Sequence, residues 1–504
     1  MSVLKKYINS FNENDNELYK NFIANDDALI WLSEEIPLFE CPDSSLEEIY
    51  YFRWWTYRKH IKYTPDGYVV TEFLPKVPWS GKYNVINAAS GHHLMEGRWL
   101  KNSAKYLSDY INFLLSNPKC SHQYSSWLIY SVWEFAKIKD RQFITKDFVN
   151  SLCSYYQEWE KTHLLPNGMF WSVDNYDAME MSISGTTKEG KLRKGIRPTL
   201  NSYMCADCLA LSQMAKLVGL DDVSKAYLKK HFDLKEKILR FLWDGNFFKA
   251  FHYDDEKYDE AFNQSPKDIA MEEIGYIPWY FNLPSVEYNS AFKFLADESV
   301  FYTPFGITTA SQKEKRFLYK CDHECLWNGY IWPYATSQTL TALLNVCQNQ
   351  KDNEEYKNLF IQLLRDYAKS HYIRIEDGKT LPWIDEVKHP FYDDWSSRTI
   401  LKNWNWREDK GGVERGKDYN HSSFCDLVIS GIAGVNMSEN GLNINPIIPE
   451  SWDYMCLTNL NILGDTYDIY YDKFGTKYGK GVGLTIYKNG NVEISIPDGS
   501  LQVL

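Results

Sequence analysis

Apolar positions recur at helical spacing through most of the chain. Tyr106, Tyr110, Phe113 and Leu114 form one face, and Met204, Cys208, Leu211, Ala215 and Val218 step by four and three. Leu228, Ile238, Phe241 and Leu242 mark another helix, as do Tyr356, Leu359, Leu363 and Tyr367. Spacings of three and four put these side chains on one side of a 3.6-residue helix, so residues 100 to 435 read as helix after helix. Two long, aromatic-rich stretches, Leu165–Pro198 and Asp377–Asp418, interrupt the pattern and read as loops. Loops of that length in a compact enzyme are usually functional.

The periodicity changes near the end. DTYDIYYD, GVGLTIYKNG and NVEISIPDG alternate or are rich in β-branched residues, and Lys488–Asn491 carries an Asn-Gly pair, the signal of a tight hairpin. The expected organisation is a mixed N-terminal segment (1–75), a helical catalytic domain (76–435) and a small C-terminal β-domain (436–504).

Composition narrows the function. The chain carries 55 basic and 67 acidic residues, a net charge of −12, which argues against nucleic acid and gives no reason to expect an anionic membrane. Eighteen Trp and 37 Tyr supply flat apolar faces on which sugar rings stack, although a Trp-rich core would give the same count. Cys205 and Cys208 form a C-x-x-C, and Cys321 and Cys325 bracket His323. Cys205 falls inside an amphipathic run, where cysteine packs as a small hydrophobe, so no metal is expected. No dinucleotide or phosphate loop is present, so no organic cofactor is expected. The first 20 residues lack an apolar signal core, and no run approaches ~18 apolar residues, so a cytoplasmic location is expected. Oligomeric state is not legible.

Two loops combine acids with aromatics. WSVDNYDAMEMSISG (171–185) holds Asp174, Asp177 and Glu180 behind Trp171, and LPWIDEVKHPFYDDW (381–395) holds Asp385 and Glu386 behind Trp383. Glycoside hydrolysis needs one carboxylic acid to protonate the leaving oxygen and a second carboxylate to activate water or attack the sugar. Acids in loops can also serve as helix caps or surface ion pairs. Two clusters, each in a Trp-bearing loop, favour catalysis.

CLWNGYIWP (325–333) carries W-x-G-x-x-W-P through Trp327, Gly329, Trp332 and Pro333. This resembles a motif of (α/α)6-toroid glycoside hydrolases of the mannosylglycerate-hydrolase type, with processing α-glucosidases and trehalases further off. LWDGNFF (242–248), Phe305-Gly306, TLNSY (199–203) and Ser423-Phe424 follow in the family's order, so the resemblance spans about 90 to 435. It implies a six-hairpin (α/α)6 barrel and an inverting glycosidase. AMEMS (178–182) is similar to the family's acid segment S-G-M-D-N-S, with Glu180 at the acid position where the family has Asp; Asp177 and Asp174 remain alternatives. EVKHPFYD (386–393) is similar to E-x-x-D-P-x-T-G, placing Glu386 as base but lacking the T-G.

Expected sugar contacts are His92, Glu96 and Arg98 in GHHLMEGRW (91–99), Trp171, Asp174, Arg197, Asn201, Trp327, Gly329, Trp332, Trp383, and His421 in DYNH (418–421). A Glu96–Arg98 ion pair is an equal reading of that first group. Arg53, Trp54, Trp55 and Arg58 form a second Arg/Trp group, a candidate cleft wall. The leading expectation is an exo-acting, inverting glycosidase on a small oligosaccharide or glycoside. A sugar phosphorylase, an epimerase using His92-His93, and a non-catalytic carbohydrate-binding protein remain alternatives.

Overall fold

The computed structural model describes residues 2–139, 141–187, 189–252, 270–350, 353–375, 377–438, 441–497 and 502–503. The protein is mainly helical, with a small β-sheet formed largely by the C-terminal residues. Its principal helices are α1 (Ser2–Glu13), α2 (Asn25–Glu35), α3 (Ser44–His60), α4 (Ser90–Gly97), α5 (Ser103–Ser116), α6 (Leu128–Ile138), α7 (Lys146–His163), α8 (Pro198–Leu217), α9 (Asp221–Phe241), α10 (Pro333–Asn349), α11 (Glu354–Ser370) and α12 (Ser396–Asn403).

These helices are of two kinds. In α5, α7, α9 and α11 one stripe is buried and the rest faces water. The stripe of α9 runs through Ser224, Tyr227, His231, Leu234 and Ile238, while Leu228 is 37% exposed. Apolar residues alone put Leu228 on the stripe, because two of its true members, Ser224 and His231, are polar. In α3, α4, α8 and α10, by contrast, nearly every position is buried. A helix buried all round belongs to the interior. Polar side chains on such helices must find partners inside the protein. Arg53 of α3 donates to the Ser422 carbonyl, and Asp207 of α8 accepts from the Tyr130 backbone N–H. Both α8 and α10 begin with proline at the first helical position, where the missing N–H costs no helical bond.

Helix after helix does not hold throughout. Among the described residues, 242–332 contain only short helical turns, Glu273–Tyr276, Ile277–Tyr280 and Val286–Leu295. The stretch Asp377–Asp418 in turn contains helix α12. The last helical turn, Cys425–Leu427, passes into a π-turn over Val428–Ile432.

The β-sheet orders its strands β1 (Leu38–Glu40), β2 (Tyr454–Ile462), β3 (Asp465–Asp472), β4 (Gly483–Lys488) and β5 (Asn491–Ile496). All neighbours are antiparallel. The Asn489-Gly490 turn joining β4 and β5 has φ of +51° and +80°, as a two-residue hairpin demands. Asp498 and Gly499 of NVEISIPDG lie outside the described residues. Strand β1 comes from the N-terminal segment and pairs Leu38 with Thr458. The tail is therefore not a self-contained unit: residues before α3 complete its sheet. It also bonds to the helical body, where the Leu463 N–H donates to the Ile138 carbonyl and Lys139 donates to the Asn461 carbonyl. No helix among the described residues is long and apolar enough to cross a membrane.

Candidate active site

A cavity of about 240 Å³ opens among the loops that connect the buried helices. Trp79, Tyr124, Trp327, Trp332, Tyr334 and Tyr419 wall it, and Glu72, Glu180, Glu324 and Glu386 line it together with His421. Glu180, Glu386, Trp327, Trp332 and His421 are thus brought together from sequence positions far apart.

The loop that carries Glu180 is held by carboxylates on either side of it. Asp177 accepts from Arg197 Nε (2.7 Å), Ser125 Oγ (2.7 Å), Ser172 Oγ (3.1 Å) and Thr199 Oγ1 (2.5 Å). Its carboxylate is fully occupied and lies outside the cavity lining. Asp174 accepts from Thr186 and Ser182. Glu272 accepts from the backbone N–H groups of Ile183 (2.7 Å) and Ser184 (3.2 Å). Ala178 and Met181 take left-handed φ of +54° and +67°, turning the chain so that Glu180 faces the cavity. Burial, assisted by the charges of Asp174, Glu386 and Glu324 and opposed by its own backbone N–H, pushes the Glu180 carboxyl up to about 8.

The Glu386 loop is built alike. Asp385 accepts from the Glu386 N–H (2.8 Å), Ser397 Oγ (3.2 Å) and Trp383 Nε1 (3.4 Å). Burial outweighs the nearby Arg398 and raises the Asp385 carboxyl to about 6. Glu386 itself accepts from Arg415 Nη2 on one oxygen and from Cys325 Sγ (3.4 Å) on the other. The second arm of Arg415 donates to Glu324 (3.0 Å). The buried guanidinium lies over the Trp79 ring, 5.2 Å from its centroid.

The W-x-G-x-x-W-P loop spans the two acids. The Trp327 N–H donates to the Glu180 carbonyl (3.2 Å), and Ile331 and Lys388 exchange two backbone bonds of 3.0 Å. Trp327 and Trp332 stack with centroids 4.4 Å apart. Gly329 has a φ of +120°, and a Cβ there would lie 2.4 Å from the Phe317 ring, so the position demands glycine for its backbone.

The remaining expected contacts lie outside the cavity lining. His92 packs edge-on against Trp127 and Tyr334, with Nδ1 3.1 Å from Ser423 Oγ. Its neighbour His93 is bonded to Tyr110 and the Asn420 carbonyl. Glu96 and Arg98 do not pair with each other: Glu96 accepts the N–H groups of Phe424, Cys425 and Asp426, and Arg98 pairs with Asp426 (2.8 Å) and Glu134 (3.2 Å). Trp171 stacks on His163. Arg197 serves Asp177 and Ser184, and Asn201 brackets the Phe170 peptide groups. Trp383 lies under Arg398 and borders a separate cleft with Trp55 and Lys417. Arg53 and Arg58 bond backbone carbonyls and interior side chains.

The sequence reading did not name several of the residues that build the cavity, among them Trp79, Tyr124 and Glu324 of the lining, and two stand out, Glu72 and Arg415. Glu72 lines the cavity, with Tyr419 Oη donating to Oε1 (2.5 Å) and Oε2 buried without a partner among the described residues. Burial raises its carboxyl to about 8, the Tyr419 bond opposing and the charge of Glu386 assisting. Arg415 follows Glu414 in the charged end of the Asp377–Asp418 stretch, where nothing local marks it out from the neighbouring Arg407, Lys410 and Lys417. The His421 ring packs at a tilt against Tyr419, centroids 3.9 Å apart, and burial together with Arg53 and His92 holds it neutral.

Among the described residues, no group of three or more His, Cys, Asp or Glu side chains could hold a metal ion. Cys205 is buried in α8, beside His231, and not paired with Cys208.

Comparison with solved structures places the chain near one described as a sialidase, at 37% identity over 97% of this chain with a TM-score of 0.87. A GH78 family rhamnosidase of Bacillus sp. GL1 shares 11% identity over 92% of the chain (TM-score 0.55), and an alpha-L-rhamnosidase from Dictyoglumus thermophilum shares 13% over 90% (TM-score 0.50). These last two likenesses concern the fold. The chain spans less than half of each of these structures' own chains: 43%, 43% and 44% respectively. The family model of the mannosylglycerate hydrolase MGH1-like glycoside hydrolase domain matches residues 82–422, a span that contains Glu180, the W-x-G-x-x-W-P loop, Glu386 and Arg415. The chain belongs to that glycoside hydrolase family.

Proposed function

We propose that this protein is an exo-acting, inverting glycoside hydrolase in which Glu180 is the general acid and Glu386 the general base, on a scaffold closed as a six-hairpin (α/α)6 toroid. One observation carries the reading: two carboxyls of opposite environment share one aromatic-walled cavity. Burial keeps Glu180 protonated at neutral pH, as an acid that donates to a leaving oxygen must be. Glu386 is ion-paired through one oxygen to Arg415, leaving the oxygen beside Cys325 to take a proton from water. In a single displacement the Glu180 proton goes to the glycosidic oxygen as the C–O bond breaks. Water adds to the anomeric carbon from the opposite face, and its proton passes to Glu386. Inversion of this kind needs carboxyls separated by roughly 6.5–9.5 Å.

Trp327, Trp332 and His421 are the proposed sugar contacts retained from the motif reading, joined by Trp79, Tyr124 and Glu72. The cavity is smaller than the ~300–1,000 Å³ typical of drug-sized ligands, which suits one terminal sugar and supports exo attack. Residues bonded away from the cavity, Asp177, Asp174, Arg197 and Glu96 among them, are proposed as positioning groups.

The test is release of sugar from a panel of aryl glycosides and disaccharides by wild type, Glu180→Gln and Glu386→Gln, with the first-formed anomer read by NMR. Each variant should lose at least ~100-fold in kcat, and the product should have the anomeric configuration opposite to the substrate. Full activity in Glu386→Gln, or a requirement for phosphate, would sink the proposal.

A further inference from the structure

The charges around the cavity bear on which sugars it admits. Four glutamates line it, and among the described residues no lysine or arginine does. The nearest cation, Arg415, is wholly buried, and its two arms are spent on Glu386 and Glu324. Arg415 also outweighs burial and holds the Glu324 carboxyl below its ordinary range, so Glu324 is an anion beside the cavity. His421 adds no positive charge, being held neutral. His323, the other histidine of the lining, accepts the Cys325 backbone N–H at Nδ1 (3.0 Å), which it can do only with that nitrogen unprotonated. Two carboxylates facing one guanidinium leave the cavity with a net negative charge even when Glu72 and Glu180 are protonated.

Two further groups point to a ligand. The side chain of Glu72 is 95% buried, and one of its oxygens has no partner among the described residues. Trp327 is 98% buried, and its indole N–H also has none. Both residues line the cavity. A protonated carboxyl and an indole N–H are both donors, suited to hydroxyl oxygens that can donate elsewhere in return. Unpaired buried donors and acceptors are costly, so a bound group that satisfies them gains what their isolation loses.

Resting on the hydrolase reading for the place of the site, we infer that this cavity takes a neutral, polyhydroxylated sugar ring and rejects sugars that carry a carboxylate. A carboxylate placed there would meet Glu324 and Glu386 with no free cation to pair it, and like charges within a few ångströms in a poorly solvated site repel strongly. Glu72 is the specificity-determining residue in this assignment. Its Tyr419 bond fixes one oxygen, so the other is aimed at a single hydroxyl.

The experiment reads binding rather than turnover, using the tryptophan fluorescence of the cavity wall in the whole 504-residue chain at pH 6.5. The probes are glucose, mannose and galactose, each against its uronic acid, with rhamnose and N-acetylneuraminate added. At least one neutral sugar should quench or enhance the signal, and each acidic partner should bind at least ~10-fold more weakly, in keeping with one unscreened like-charge contact. Glu324→Gln, which frees one arm of Arg415, should narrow that gap by improving the uronic acid. Glu72→Gln should weaken the neutral sugar while leaving the discrimination against acids in place. Equal or tighter binding of the acidic sugars by wild type overturns the inference, as does failure of every probe to bind. If neutral sugars bind selectively and no glycoside is hydrolysed, it is the hydrolase reading that fails and the selectivity stands. If Glu324→Gln does not fold, the wild-type panel alone decides.

Discussion

Arg415 donates to Glu386 from a position where neither side chain reaches bulk water. The guanidinium thereby commits one oxygen of the proposed base and leaves the other with only the weak Cys325 thiol contact. Removing one member of a buried ion pair leaves the other uncompensated and typically costs 3–5 kcal/mol. Arg415→Met should therefore lower kcat by ~100-fold or more with a smaller change in KM, and should lower the thermal midpoint. Arg415→Lys restores charge without the two-armed geometry, so it should recover stability more than activity. Steady-state kinetics alongside calorimetry separates the two effects. An Arg415→Met enzyme with wild-type kcat would show that the pair does not prepare the base.

The pH dependence should report Glu180. A general acid works only while protonated, so kcat/KM should fall on the alkaline side with a midpoint near 8. Glu72 titrates in the same range, so the profile of Glu72→Gln decides the assignment. That variant should keep the alkaline limb. Its disappearance in Glu72→Gln would transfer the role of acid to Glu72.

Glu72 should also leave a signature in stability. Its folded carboxyl titrates near 8, well above the ordinary value of about 4.5. Between those values the folded protein holds a proton that the unfolded chain has released. Stability from this group is thus complete below about pH 4.5 and is lost progressively as pH rises through 8. Glu72→Gln removes the charge that must otherwise form in the interior. Its thermal midpoint should gain on wild type as pH rises from 5 to 9, by roughly 2–4 °C at the alkaline end. Parallel thermal curves at both pH values would contradict the assigned environment.

Asp177 presents the opposite case. Four donors surround its carboxylate, and its ion pair with Arg197 is fully buried. Asp177→Asn should lower stability by about 3–5 kcal/mol and depress activity through the Glu180 loop. Activity measured well below the midpoint should recover in part. A variant with an unchanged midpoint and no activity at any temperature would instead give Asp177 a chemical role.

The contrast between Asp177 and Glu180 shows where sequence reasoning reaches its limit. Both acids stand in one aromatic loop, three residues apart, and local pattern cannot rank them. What separates them is Arg197, Thr199 and Ser125, delivered by α8 and by the segment before α6. Glu386 was legible because Trp383 and the Glu-x-x-x-Pro spacing surround it in the chain. Glu72 was not, because its partner Tyr419 lies 347 residues away. Arg415 was not legible either, for a different reason: it lies only 29 residues after Glu386, but an arginine among the charged residues 407–418 reads as solvated surface until the fold buries it against both acids. The helical stripes were legible where a helix has a wet side, as in α5 and α11. They misled where polar residues take the buried face, as His231 does in α9. Strand β1 was invisible because three residues carry too little alternation to announce a partner beyond residue 450.

That strand has a consequence for how the protein is made. Leu38–Glu40 leaves the ribosome more than 400 residues before its partner Tyr454–Ile462. At synthesis rates of about 5–20 residues per second the delay is roughly 20–80 s. Throughout that interval the helical body must accumulate with one edge of the future sheet waiting for hydrogen-bond partners. An exposed strand edge invites pairing with other chains. The vulnerable moment for this protein is therefore during translation, before these two strands have met.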